Sequence, residues 1–177
     1  IQLVQRLKED GTIYFKENRF LKAFRFYKRA VNTLNRKRAS PVSEVNKEDE
    51  SSSSSSSSSL EEERKKQLNE LKITCMMNMS MCCLKLKNRE KDCIKYCTDI
   101  LKEFDSVLSA DQKLKTLFRR GQAHLLLSDY DKAREDLERA KSISPENKAV
   151  LAELRKLQQQ EEAYKTKLRK MYSNMFE

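Results

Sequence analysis

One pattern, written twice about 110 residues apart, constrains this chain more than any other feature. Leu7, Gly11, Tyr14 and Phe15 precede Phe20, Ala23, Tyr27 and Ala30 in the first copy. Leu117, Gly121, His124 and Leu125 precede Tyr130, Ala133, Leu137 and Ala140 in the second, which closes on Pro145. Apolar residues recur at three- and four-residue steps on either side of a short polar turn, as in two amphipathic helices. The small residues let two antiparallel helices approach closely, while the large ones fill the gap between one helical pair and the next. A sheet is excluded, because two glycines and two prolines in 177 residues are too few to punctuate strands.

A stack of helical pairs also suits the composition. Charged residues make up 36% of the chain and hydrophobic ones 38%, a thin core for this length. The 37 basic and 27 acidic residues leave a net charge of +10, which favours an anionic partner without naming it. Nucleic acid and an acidic peptide both remain open at this point. Five cysteines (Cys75, Cys82, Cys83, Cys93, Cys97) fall in one short stretch without metal-ligand spacing. They read as reduced, mostly buried, small apolar side chains, which points to the cytosol or nucleus, with a cytoplasmic location expected, and to no metal or cofactor. No apolar run approaches the roughly 18 residues of a membrane span, and no signal sequence heads the chain. A membrane partner is not expected, and Ile1 in place of Met points to a piece of a longer polypeptide.

The chain reads as a single domain over 1–177, with repeats at about 4–38, 60–104 and 110–144. Between the first two, residues 39–59 lose all periodicity and include Pro41, an acidic cluster at Glu48–Glu50 and nine consecutive serines, as a flexible insertion would. Helical pattern resumes at Leu60. In the second repeat Met76, Ser80, Cys83 and Leu84 stand where Leu7, Gly11, Tyr14 and Phe15 stand in the first. Strict spacing would then bury Asp92, which is costly. One extra residue in the turn at Lys87–Arg89 instead turns Cys93, Cys97 and Ile100 inward. Residues 147–177 continue as a charged helix that caps the third repeat with its first turns. The expected fold is therefore all-α, three stacked helical pairs plus a long C-terminal helix.

Polar residues on the first helix of each pair are the place to seek a ligand site. Lys8 and Thr12 lie four apart and share a face, as do Gln112, Lys115 and Arg119. Asn78 interrupts an apolar run from Ile73 to Leu84, and such an amide is unfavourable without partners.

The repeat fits the tetratricopeptide pattern of about 34 residues. Lys8-x-x-Gly-Thr-x-Tyr-Phe-Lys16, Asn78 within Met77–Leu86, and Lys115-x-x-x-Arg119-Arg120-Gly121 resemble the tetratricopeptide domain of FKBP-type immunophilin co-chaperones. The stretch Leu117–Ala123 followed by Tyr130–Arg134 is most similar to the germline, Shutdown-like subclass. The resemblance implies a right-handed superhelix of three tetratricopeptide helix pairs with a long C-terminal capping helix, and a two-carboxylate clamp for the Met-Glu-Glu-Val-Asp terminus of heat-shock protein 90. Lys8, Asn78 and Lys115 would hold the carboxylates of the final Asp, with Arg119 on a neighbouring peptide carboxylate or carbonyl. Thr12 stands where many clamps carry Asn, and Gln112 shares the face of Lys115. Phe15 and Met81 are expected to wall the penultimate Val. The germline subclass implies a parent acting in small-RNA (piRNA) silencing of transposons, and the 70-kDa chaperone is a second possible source of the peptide.

Two other readings stand beside this one. The +10 charge suits a helical scaffold that binds RNA or other proteins, although aromatic platforms interleaved with base-reading side chains are missing from the pattern. An enzyme reading attaches only to the parent, since immunophilins carry a prolyl-isomerase domain upstream. His124 has no nucleophile beside it and reads as a core residue, and Met76, Met77, Met79 and Met81 read as adaptable packing.

Overall fold

The computed structural model describes residues 1–39, 56–173 and 175. Among them are seven helices and no strand: α1 (Gln2–Lys16), α2 (Phe20–Ala39), α3 (Ser56–Lys85), α4 (Glu90–Phe104), α5 (Ala110–Leu126), α6 (Tyr130–Ile143) and α7 (Lys148–Ser173). They fall into two compact units, Ile1–Leu86 and Lys87–Glu177.

The three tight turns share one backbone device. Asn18, Asn88 and Ser128 adopt φ of 59°, 61° and 58°, and each stands two residues before the next helix begins. A left-handed residue ends a helix sharply, and the short polar side chain of Asn tolerates that conformation. The turns after α1 and α5 have three residues, whereas the one after α3 has four, 86–89. That extra residue sets Cys93, Cys97 and Ile100 at fully buried positions and leaves Asp92 partly exposed, as the spacing argument required.

In the first unit, α1 turns Val4, Leu7 and Gly11 inward. The absent side chain at Gly11 lets the Tyr27 ring lie directly against the α1 backbone, since a Cβ there would sit 2.7 Å from its Cε1. α2 contributes Ala23, Phe24, Tyr27, Ala30, Val31 and Leu34 to the core, and α3 contributes Ile73, Cys75, Met76 and Met79. α3 starts at Ser56, inside the serine run and four residues ahead of the expected start at Leu60. Once nucleated, a helix lengthens by one backbone hydrogen bond per residue, so polar serines extend it at little cost. The rest of the expected insertion, 40–55, lies outside the described residues.

In the second unit, Gly121 admits Leu137 as Gly11 admits Tyr27. Leu125, Ala133, Leu137 and Leu157 form one buried cluster and Leu117, Ala140 and Val150 another, with Leu154 packed against both. The apolar face of α7 thus covers α5 and α6, and a contact between the Tyr130 and Tyr164 rings at 5.9 Å carries the docking further along. An Arg134–Glu161 ion pair reinforces it. Ser109 and Gln112 close a capping box at the start of α5, and the Asn147 side chain accepts from the Ala149 and Val150 amides to cap α7.

His124 is buried, and among the described residues its Nδ1 has no hydrogen-bond partner. The nearest charge, Asp129 Oδ2, lies 3.4 Å away and is engaged by Lys132 at 2.8 Å. Burial pushes the imidazole pKa below 6.5; Asp136 and Asp129 oppose the shift, and Arg120 and Lys132 reinforce it. The unfolded chain therefore takes up this proton more readily than the folded one. Stability from this group is full above about pH 6.5 and is lost as pH falls through the lower folded value. Thermal melts at pH 7.5 and 5.5 should show a smaller acid-induced drop for His124→Gln than for the wild type. Equal drops would contradict the assignment.

Candidate functional site

The buried amide that the sequence left unexplained finds its partner within the first unit. The Asn78 side chain hydrogen-bonds the Tyr27 hydroxyl, which also lies 3.1 Å from Thr12 Oγ1. Thr12 Oγ1 in turn donates to the Lys8 carbonyl at 2.9 Å. A hydroxyl has one hydrogen, so these contacts have a single consistent direction. Thr12 has already given its proton to Lys8, so Tyr27 must donate to Thr12. The phenol oxygen then accepts from Asn78. The chain of donors runs from Asn78 through Tyr27 and Thr12 to the backbone of Lys8. Burial raises the Tyr27 pKa, so the phenol stays protonated and able to donate.

This relay fixes what is left for a ligand. Asn78 uses one N–H on Tyr27 and keeps a second N–H and its carbonyl oxygen. Thr12 has no proton to offer, so its hydroxyl positions neighbours rather than donating to an anion. The Lys8 side chain is half-buried and has no carboxylate partner among the described residues. It lies close enough to Cys75 to pull that thiol down, although burial wins and pushes the thiol to about 11. A thiol so high is neutral at pH 7 and does not neutralise the ammonium. Phe15 and Met81 are half-buried in the same unit, with the Phe15 ring edge-on to Phe20 at 5.2 Å.

In the second unit α5 places Gln112, Lys115 and Arg119 on one helical face. Gln112 Oε1 accepts from the Ser109 amide at 3.0 Å, so its oxygen serves the helix cap. Lys115 Nζ lies 2.6 Å from Asp111 Oδ2, both side chains more than half exposed. Such a surface pair contributes only about 0.3–0.5 kcal/mol, so Lys115 can exchange Asp111 for another carboxylate at little cost. The Arg119 carbonyl accepts from the Cys93 thiol at 3.7 Å, which ties this part of α5 to α4. Arg120, next in sequence, points elsewhere. It forms a bidentate pair with Asp136 at 2.7 and 2.5 Å and donates to Thr98 at 3.2 Å, a purely structural arrangement.

Tyr27 is the residue that sequence reasoning missed, because its position in the repeat reads as packing. A signal was present. The corresponding residues in the other copies are Cys97 and Leu137, so only the first repeat carries a hydroxyl there, and a buried hydroxyl requires a partner.

The tetratricopeptide repeat family matches residues 114–147. A solved C-terminal TPR-containing domain of a putative FK506-binding protein from Plasmodium falciparum superposes with a TM-score of 0.67 at 21% identity, covering 93% of this chain and 92% of that one. The fold is that of tetratricopeptide repeats. The first TPR of Spaghetti (RPAP3), solved bound to the HSP90 peptide SRMEEVD, superposes with a TM-score of 0.60 at 20% identity, covering 89% of this chain and 92% of that one. In sequence, this tetratricopeptide domain is similar to the peptidyl-prolyl cis-trans isomerase FKBP4 of Rattus norvegicus, 34% identical over 171 residues. The match takes in 97% of this chain and 31% of that protein, so the domain spans under a third of its curated relative. No described helix is long and apolar enough to cross a membrane, and no group of three His, Cys, Asp or Glu among the described residues could hold a metal ion.

Proposed function

We propose that this tetratricopeptide domain is a co-chaperone module that captures the C-terminal Met-Glu-Glu-Val-Asp of heat-shock protein 90 through a two-carboxylate clamp. A C-terminal Asp presents two carboxylates, one from its side chain and one from the chain end, whereas an internal Asp presents one. Lys8, Asn78 and Lys115 hold this pair, and Arg119 forks onto a neighbouring peptide carboxylate or carbonyl. Phe15 and Met81 flank the penultimate Val, Thr12 and Tyr27 orient Lys8 and Asn78, and Gln112 braces the start of α5. The observation that carries the reading is the Asn78–Tyr27–Thr12–Lys8 relay, which leaves an unneutralised ammonium and an oriented amide in one unit. The likeness to a repeat domain solved with an HSP90 peptide supports it.

Calorimetric titration with Met-Glu-Glu-Val-Asp tests the clamp. Binding should weaken about tenfold or more in Lys8→Ala and in Lys115→Ala, and likewise when the peptide terminus is amidated, since each loses a charge-assisted hydrogen bond worth about 1.5–3 kcal/mol. No binding at millimolar peptide, or indifference to amidation, would sink the proposal. Competition between Glu-Glu-Val-Asp peptides from the 90-kDa and 70-kDa chaperones then assigns the preferred source.

The relay carries its own prediction. Tyr27→Phe should weaken the peptide by about three- to tenfold without changing helical content, and this loss should vanish in an Asn78→Ala background. An equal loss in both backgrounds would show that the hydroxyl acts on packing alone.

Five reduced cysteines, all buried, fit a cytoplasmic site of action. Isomerase activity, if the parent has it, resides outside this chain. The finer reading, a parent serving germline transposon silencing through small-RNA loading, rests on the likeness of Leu117–Ala123 and Tyr130–Arg134 to the Shutdown-like subclass.

A further inference from the structure

Among the helices, α2 contributes most to the net charge of +10. α2 carries seven basic residues (Lys22, Arg25, Lys28, Arg29, Arg36, Lys37 and Arg38) and no acidic one. At 100° per residue, Lys22, Arg25, Arg29 and Arg36 fall within about 60° of one another, on the side of α2 opposite its buried face. All four are exposed, and none is ion-paired among the described residues. They form a straight row about 21 Å long, at 1.5 Å of rise per residue. Lys28 stands at its edge. The other charged helices differ: α6 carries four residues of each sign, and α7, although it has seven basic residues against three acidic ones, pairs part of its charge, as in Glu153–Lys156 and Glu161–Lys165.

Like charges three and four residues apart destabilise a helix, and apart from the Lys22 contact on the Tyr14 ring this row shows no compensating side-chain pairing among the described residues. We propose that α2 is a second binding surface, a cationic track for the phosphate backbone of RNA, used without reading base sequence. Three of the four row residues are arginines, whose planar fork suits phosphate oxygens. The aromatic rings nearby are already engaged, Tyr14 stacked on Phe26 at 5.1 Å and covered by the Arg19 and Lys22 cations, so they are not free to stack bases. A lipid surface fits less well. Membrane-surface helices insert an apolar face, and in α2 Ala23, Phe24, Tyr27, Ala30, Val31 and Leu34 are all committed to the core. An acidic peptide would need side-chain pockets, and the row is a smooth helix face.

The test uses the full chain and a fluorescent 20-nucleotide single-stranded RNA of mixed sequence. Four phosphate contacts give a slope of log affinity against log salt of about −3, or roughly 50-fold weaker binding at 200 mM than at 50 mM salt. Arg25→Gln/Arg29→Gln/Arg36→Gln should weaken binding at 50 mM salt at least tenfold and flatten the slope to about −1, with the melting temperature unchanged because these side chains make no internal pairs. Lys165→Gln/Lys167→Gln/Lys170→Gln, on α7, should leave RNA binding within about twofold of wild type. Absence of RNA binding at 50 mM salt, an equal loss in the α7 variant, or equally tight binding to polyglutamate or to phosphatidylserine vesicles would each overturn the proposal. Because the row is separate from Lys8, Asn78 and Lys115, these outcomes are independent of the peptide titration.

Discussion

Asp136→Ala is expected to lower the unfolding free energy of the second unit by about 3–5 kcal/mol, the range for breaking a buried ion pair from one side. Asp136 is 2% exposed, and both of its carboxylate oxygens are bound by the Arg120 guanidinium. The Arg120 side chain is itself only 16% exposed and can reach water only in part, so the substitution strands a charge inside the unit. Among the described residues Thr98, its other hydrogen-bond partner at 3.2 Å, is neutral, and Glu135 acts on the guanidinium only through space. Urea unfolding followed by circular dichroism measures the loss. The double variant Arg120→Met/Asp136→Leu should recover most of it, because removing both charges leaves neither uncompensated. A double variant no more stable than Asp136→Ala would mean that the pair stabilises the unit outright. A loss below about 1 kcal/mol in Asp136→Ala would mean that the guanidinium escapes to solvent.

Gly11→Val should be nearly as damaging to the first unit, and the milder Gly11→Ala should separate stability from binding. A Cβ at Gly11 meets three atoms of the Tyr27 ring at 2.7, 2.9 and 3.0 Å, so the ring has to move. Its far end is not free to move, because the hydroxyl is shared between Thr12 and Asn78. For Val, overpacking of about 1–3 kcal/mol adds to the poor helix propensity of a β-branched residue. For Ala, a helix-propensity gain of about 1 kcal/mol offsets much of the overpacking. The displaced phenol still releases Asn78 and Thr12, so peptide affinity in Gly11→Ala should fall proportionally more than stability. Parallel thermal melts and peptide titrations check this. Unchanged affinity in a folded Gly11→Ala variant would contradict the coupling between Gly11 and the relay. Gly121→Ala is a useful contrast, since its Cβ meets the branch of Leu137 and no hydrogen bond depends on that side chain.

Much of the fold was legible because helical packing is a local, periodic property. Leu7, Gly11, Leu117 and Gly121 sit at steps that only a 3.6-residue period explains, and all four are buried. The longer turn ahead of α4 was also readable, because the alternative register would have buried Asp92 in place of Cys93. The start of α3 was not. Serine is a weak helix former, and its helical state at Ser56–Ser59 follows from propagation of a helix nucleated further along. Among the proposed site residues, Lys8, Thr12 and Asn78 stood out as polar groups at groove-facing or apolar positions. Tyr27 did not, because a tyrosine at a packing position looks like any other large ring until its hydroxyl is located.

The repeat that organises the chain, the helical class, the small residues at Gly11 and Gly121 and the basic bias of α2 were determined by the sequence alone, since each is a matter of residue type and spacing along one strand of chain. Only the tertiary structure decided which way the protons point. The Thr12 hydroxyl could have faced a ligand or its own backbone, and Asn78 could have bonded a helix carbonyl. Their roles follow from Tyr27, contributed by a third helix, and a hydroxyl with a single proton allows one direction of donation once its neighbours are in place. Side chains brought together from α1, α2 and α3 have no common period, and that is why packing had to settle what spacing could not.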